Sequence, residues 1–220
     1  MPQSAPPNTR QAALWNDVSG KAWVEMQPIL DEILAPFERL VVDAGYPREG
    51  SNVLDIGCGA GATTLAMARH VGNDGSCVGL DISQPLVALA TKRKGAEEVA
   101  NASFEVGDAQ TYAFESGHFD AVISRFGVMF FDDPIAAFTN IRKAVRRRGK
   151  LAFVAWRSPL ENDFMTTAVR AAAPFLPPAP APDPDAPGQF AFADGAKVMR
   201  ILVASGGASC EVETAGVPGR

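Results

Sequence analysis

The chain has 220 residues, 47% of them hydrophobic and 20% charged, which suits one compact domain with a sizeable core. A net charge of −5 and a sequence pI of about 5.1 exclude a global electrostatic pull toward nucleic acid. No run approaches the roughly 18 apolar residues of a membrane span, and the N-terminus lacks the basic and apolar regions of a signal peptide. Cys58, Cys77 and Cys210 have no paired spacing, so reduced thiols and a cytoplasmic setting are expected, and no zinc-type ligand spacing is present.

Residues 1–11 are polar and proline-rich and read as a disordered tail. The remainder, 12–220, reads as a single domain: a helical cap over 12–48, a core over 51–156 and an insertion over 157–205. In the cap, Trp23, Met26, Leu30, Ile33, Phe37 and Leu40 recur at helical spacing, and Pro28 and Pro36 are expected to break the stretch. This layer either only covers the core or caps a ligand site.

From Ser51 onward, short apolar runs alternate with helical stretches. Strands are expected over Asn52–Ile56, Cys77–Leu80, Ser103–Val106, Phe119–Ser124 and Lys150–Trp156, with helices near 61–71, 84–94 and 134–147. The last helix places Ile135, Phe138, Ile141 and Val145 on one face. The alternation predicts an α/β fold: a Rossmann-like, doubly wound, mostly parallel sheet with helices on both faces and ligands at its C-terminal edge. Seven prolines between 174 and 187 mark a stiff segment within the insertion. A helix near Asp194–Ala204 and a strand near Ser209–Thr214 follow.

The chemistry concentrates at three strand ends. Val53-Leu54-Asp55-Ile56-Gly57-Cys58-Gly59-Ala60-Gly61 runs an apolar strand into a glycine turn, where a ligand can approach bare backbone. The run also satisfies the G-x-G-x-x-A pattern, so a nicotinamide or flavin dinucleotide competes. Asp55 disfavours that reading, because a carboxylate beside a pyrophosphate is repelled, whereas one beside an ammonium or sulfonium is attracted. Asp81 ends the second strand, where an acid accepts from ribose hydroxyls. Asp108, followed by the small Ala109, ends the third and suits an adenine amino group; alone it reads as a turn residue.

With VGLDIS at 78–83, VGDAQ at 106–110 and FDAVISRFGVMFF at 119–131, these runs resemble class I S-adenosylmethionine-dependent methyltransferases. The closest branch is the small-molecule one that includes the ubiquinone and menaquinone biosynthesis enzymes. The resemblance implies S-adenosyl-L-methionine as cofactor and a small-molecule methyl acceptor as partner. It also implies cofactor-binding roles for Asp55, Gly57, Cys58, Gly59, Thr64, Asp81, Ile82, Asp108, Ala109, Ser124 and Arg125. Phe126, Met129, Phe130 and Trp156 cluster where the acceptor would enter and favour an apolar or aromatic one.

No metal site is expected and no catalytic residue is identified. His70 and His118 lie away from the strand tips, while Tyr112 and Glu115 sit on the loop after the third strand. Two departures accompany the resemblance. The family's Pro-Gly-Gly before the fifth strand is replaced by Arg147-Arg148-Gly149-Lys150; the basic run Arg146–Lys150 reads as the cationic end of a helix, with an RNA-binding patch as the alternative. The family's closing antiparallel ribbon is expected to be incomplete, with one strand near Ser209–Thr214. An NAD(P)-dependent oxidoreductase and a truncated or inactive cofactor-binding protein therefore remain alternatives.

Overall fold

The structure, a computed structural model, describes residues 6–45, 47–177, 183 and 185–216. Its sheet comprises β1 (Asn52–Ile56), β2 (Ser76–Asp81), β3 (Ala102–Val106), β4 (Phe119–Arg125) and β5 (Val145–Val154) in the order β3-β2-β1-β4-β5. Every pairing is parallel. The order reverses between β1 and β4, which opens a crevice at their C-terminal ends.

Alternation along the strands builds a core on each face. Leu54 and Ile56 of β1 join Leu80 and Val122 beneath α6 (Pro134–Ala144) and α8 (Gly195–Ala204). Val53, Cys77, Ala121 and Ile123 join Leu65, Met67 and Val71 of α4 (Ala62–Val71) and Val41 of α3 (Gln27–Gly45) on the other. This period of two also places Asp55 inward, on the α4 face, with Val53. The helix α5 (Gln84–Ala96) links β2 to β3 and completes the flanking layer.

Several expected boundaries move. Pro36 sits inside α3 without ending it, whereas Pro28 falls at its second position, where a missing N–H costs nothing. The buried stripe of α3 runs through Leu34 and Val41, while Met26 and Ile33 stay exposed. Helix α6 stops at Ala144, so the basic run is not a helix end: Val145–Lys150 pairs in β5 across a register irregularity, and Arg146 bonds Asp120 at 2.6 Å. The same strand ends at Val154, leaving Ala155 and Trp156 beyond the ladder.

Residues 209–216 have no regular structure, so the strand expected at Ser209–Thr214 does not form. They lie against other groups instead: Thr214 accepts from Arg157 at 3.1 Å, and Val212 packs over Gly195. Among the described residues the sheet is therefore purely parallel, and no part of an antiparallel ribbon is present. Within the proline-rich stretch, Pro178, Pro180, Pro182 and Pro184 lie outside the described residues.

The N-terminal segment departs most from expectation. Residues 1–5 of the predicted tail lie outside the described residues, but Thr9–Asn16 forms α1, followed by α2 (Val18–Glu25). Asn8, 2% exposed, anchors it. Its backbone N–H donates to Asp132 at 2.5 Å and its side-chain carbonyl accepts from the Asp132 N–H at 2.7 Å. Its amide donates to Asp108 at 2.8 Å and Gln110 at 3.2 Å. At the other end, Asn16 bonds the Ile82 carbonyl and the Gln84 N–H at 2.9 Å each, and Ser83 donates to the Trp15 carbonyl at 2.6 Å. Helix α1 is thus a strap fixed to the loops after β2 and β3. Its polar surface hid this packing, since the holding contacts are hydrogen bonds from Asn and Ser.

Replacing Asn8 with Ala should loosen the strap selectively. Amide hydrogen exchange is expected to rise at least about tenfold across Thr9–Glu25 and stay unchanged in α4. Equal protection of the strap in both proteins would show that α2 and α3 hold it without Asn8.

Candidate functional site

The crevice forms where the loop after β1 meets the loop after β4. Gly57 has φ +68°, and a Cβ on it would lie 2.5 Å from Gly127 Cα. Two backbones therefore touch, and Ser124 secures them by donating to the Ile56 carbonyl at 2.7 Å while accepting from the Gly127 N–H at 3.2 Å. Gly59 is different. At φ +52° it is equally left-handed, yet a Cβ there would meet nothing within 4 Å, so its bare backbone faces open space.

A cleft lies over this loop. Gly57, Cys58, Gly59 and Ala60 form one wall, continued by Arg125 and Phe126, and α2 and α3 form the other. On α3, Gln27, Asp31 and Leu34 repeat at helical spacing toward the cleft. Asp31 accepts from Gln27 at 2.6 Å and from Arg93 at 2.8 Å, and Arg93 also donates to the Ala60 carbonyl at 2.7 Å. This network couples the glycine loop to the helical layer. Sequence reasoning missed Gln27, Asp31 and Arg93; the available signal was a polar residue every turn within an otherwise apolar stripe.

Asp55 lies beneath the loop and is 1% exposed. One carboxylate oxygen accepts from the Thr64 hydroxyl at 2.6 Å, and the other, Oδ1, has no partner. Burial pushes its pKa up to about 7, against the opposing pull of the Thr64 bond and the Arg125 charge. Thr64 is itself fully buried, so it acts through Asp55. Arg125 donates to the Leu34 carbonyl at 3.4 Å. Burial lowers its pKa, and the negative charges of Glu38, Asp31 and Asp55 counter that. Burial likewise raises Glu38, which Arg125 opposes.

Asp81 accepts from the Gly59 N–H and the Ser83 N–H, both at 2.8 Å, one on each oxygen. Each oxygen keeps a lone pair, and burial raises the acid despite these donors. Asp108 Oδ1 takes the Asn8 amide and the Gln110 N–H at 2.9 Å. Buried Ala109 is next to it, its carbonyl held by Asn140 at 3.0 Å. Ile82 presents its carbonyl to the strap. The three acids thus sit at the penultimate residue of β1, the last residue of β2 and the second residue past β3.

The aromatic cluster is largely packed. Phe126 has φ +63° and stacks on Trp156 with centroids 3.9 Å apart and planes 4° from parallel, and Phe37 meets both edge-on. Phe126 borders the cleft, Phe130 contacts Trp15 of the strap, and Met129 is buried with its carbonyl bonded to the Gly188 N–H. His70 bonds the Pro47 carbonyl, His118 pairs with Glu115, and Tyr112 donates to Glu105, all away from the cleft. Among the described residues, no three His, Cys, Asp or Glu side chains converge on a common point, and no helix is long and apolar enough to cross a membrane.

Residues 53–149 match the family model described as a methyltransferase domain. Aklanonic acid methyltransferase of Streptomyces sp. (strain C5) is 34% identical over 148 residues, covering 67% of this chain and 62% of that protein. Nocamycin O-methyltransferase of Saccharothrix syringae is 32% identical over 120 residues, covering 54% and 43%. The chain therefore spans about half the length of these curated relatives. The crystal structure of a SAM-dependent methyltransferase from Aquifex aeolicus shares the fold at a TM-score of 0.62 and 16% identity, over 83% of this chain and 86% of that one. These matches favour S-adenosylmethionine over the dinucleotide alternative.

The two loop glycines should separate stability from binding. Gly57→Ala combines left-handed strain with a backbone clash and is expected to cost about 3 kcal/mol or more. Gly59→Ala costs about 1–2 kcal/mol but fills the open space, so S-adenosylhomocysteine binding by calorimetry is expected to fall sharply while the protein stays folded. Asp55 has a folded pKa above its unfolded value of about 3.9, so the folded state binds its proton more tightly. Its contribution is full below about pH 4 and is lost as pH rises through about 7. In urea titrations from pH 5 to 8, Asp55→Asn should lose less stability with pH than the wild type; parallel curves would refute the assignment.

Proposed function

We propose that this chain, whose residues 53–149 are a class I S-adenosylmethionine-dependent methyltransferase domain, transfers the cofactor's methyl group to a small apolar or aromatic acceptor. When bound, S-adenosylmethionine supplies an electrophilic methyl on a sulfonium. Two features carry the reading of the site: the unpartnered, buried Oδ1 of Asp55 near the end of β1, and the open backbone of Gly59 in the turn that follows. A buried acceptor left without a donor is costly, and an ammonium, direct or through water, relieves it.

The remaining assignments follow from position. Gly57, Cys58 and Gly59, continued by Arg125, face the amino-acid portion, with Gln27 and Asp31 closing the opposite side of the cleft. Asp81 holds the ribose through its free lone pairs. Asp108 and Ala109 border the adenine, and Ile82 packs against it. Thr64 and Ser124 act indirectly, by fixing Asp55 and the glycine loop.

Methyl transfer needs the acceptor atom and the methyl held in line in a dry site. The helical layer excludes water from above, and Phe126, with Trp156 behind it, offers an apolar wall. The relatives' names, for aklanonic acid and nocamycin, support an acceptor of small-molecule size. No side chain at the cleft is assigned as general base, so an acceptor ionised near neutral pH, or a carbon nucleophile already activated, fits best.

Calorimetry with S-adenosylhomocysteine should give saturable binding, and Asp81→Ala should weaken it about 10–100-fold, or roughly 1.5–3 kcal/mol, while the protein remains folded. Methyl release from labelled S-adenosylmethionine to phenolic acceptors then tests transfer. A folded wild type that binds no S-adenosylhomocysteine would sink the proposal.

A further inference from the structure

We infer that Gln11 reads the adenine: its side-chain carbonyl, on the inner face of the strap, accepts a hydrogen bond from the 6-amino group. The inference rests on the cofactor reading above and extends the site to a residue outside the matched family region. Asn8, Gln11, Ala12 and Trp15 recur at one-turn spacing and form the least exposed face of α1 and its N-terminal cap. That helix is pinned to the loop carrying Asp108 at one end and to the loop following Asp81 at the other. It therefore crosses the adenosine half of the site, with Gln11 on the side facing in.

The decisive observation is an unmatched atom. Gln11 is 8% exposed, and its Oε1 has no hydrogen-bond partner. Among the described residues, only one other buried side-chain oxygen or nitrogen shares that condition: Oδ1 of Asp55, under the amino-acid end of the same site. Buried polar atoms are almost always paired, so one orphan on the strap that ties the Asp81 and Asp108 loops, and another near the end of β1, mark positions that a ligand's donors can fill.

Position selects which donor Gln11 takes. Adenosine offers the 6-amino group and two ribose hydroxyls. The hydroxyls belong to Asp81, on the side of the strap held at Trp15 and Asn16. Gln11 lies one turn from Asn8, which bonds Asp108. Asn8 and Gln110 occupy Oδ1 of Asp108, which leaves Oδ2 for one amino proton and Gln11 for the other. The strap then reads the base as well as covering it.

The test uses Gln11→Leu and Gln11→Met, titrated with S-adenosylhomocysteine and with its 6-oxo counterpart, S-inosylhomocysteine. The wild type should prefer the adenine compound. Each variant should lose about tenfold affinity for it and change little for the 6-oxo compound, which narrows the preference about tenfold and leaves the part owed to Asp108. Without ligand, the variants should melt at or above the wild-type temperature, because the orphaned acceptor is gone; a purely structural glutamine would give the opposite shift. Equal affinity of wild type and variants for S-adenosylhomocysteine, or equal losses for both compounds, overturns the role of Gln11. A wild type that binds neither overturns the cofactor reading itself.

Discussion

Two loops meet backbone to backbone at the point where the strand order reverses, and the rest of the site is arranged around that contact. A side chain at Gly57 would strike Gly127, and one at Gly127 would lie 2.5 Å from the Ile56 carbonyl. Because both positions are bare, the loop after β4 can run directly beneath the glycine turn. Ser124 then ties the strand ends together, and Phe126 is forced into left-handed backbone that sends its ring toward Trp156 and Phe37. The cleft's floor and its aromatic wall thus have one cause.

The same closeness buries charge. Asp55, on a strand with helices above it, loses its water and has only the Thr64 hydroxyl in exchange. Arg125 and Glu38 are half-buried nearby, with no ion pair between them within 4 Å among the bonds described. Such a set of incompletely matched groups lowers stability, and proteins retain it where a ligand completes the match. On the reading proposed above, a ligand carrying separated positive and donor groups along its length answers Asp55 at one end and Gln11 at the other.

The sheet was legible because its code is simple. Five apolar runs with turn residues between them gave β1 to β4 to within one residue, β1 being exact at Asn52–Ile56, whereas β5 begins five residues before the expected Lys150. Asp81 and Asp108 were placed for a related reason, since a polar residue at or just past the end of an apolar strand goes to the sheet's rim; Asp55, the penultimate residue of β1, is instead buried on the α4 face. What failed was governed by other forces. The strap is held by Asn and Ser side chains bonding to loops more than 60 residues away, and no local pattern records such partners. Pro36 was expected to break α3, but tertiary packing of Leu34 and Val41 on either side of it overrides the lost hydrogen bond. The strand at Ser209–Thr214 had the right alternation and no neighbour to ladder with, and alternation alone does not make a strand.

The insertion after β5 is illegible for a different physical reason. Residues at the strand ends are placed by the sheet, so a sequence that specifies the sheet also specifies where they sit. The insertion has no such frame. Helix α7 (Asp163–Ala172) has no buried residue, and Phe164, Phe175 and the preceding Leu160 are 65%, 87% and 81% exposed. Its one ring contact to the core is Phe164 against Trp156. Little burial fixes where this helix sits, so its sequence carries little record of its place. A fold whose strand-end loops are set by backbone geometry, and whose outer helix is loosely packed, can keep the first while varying the second.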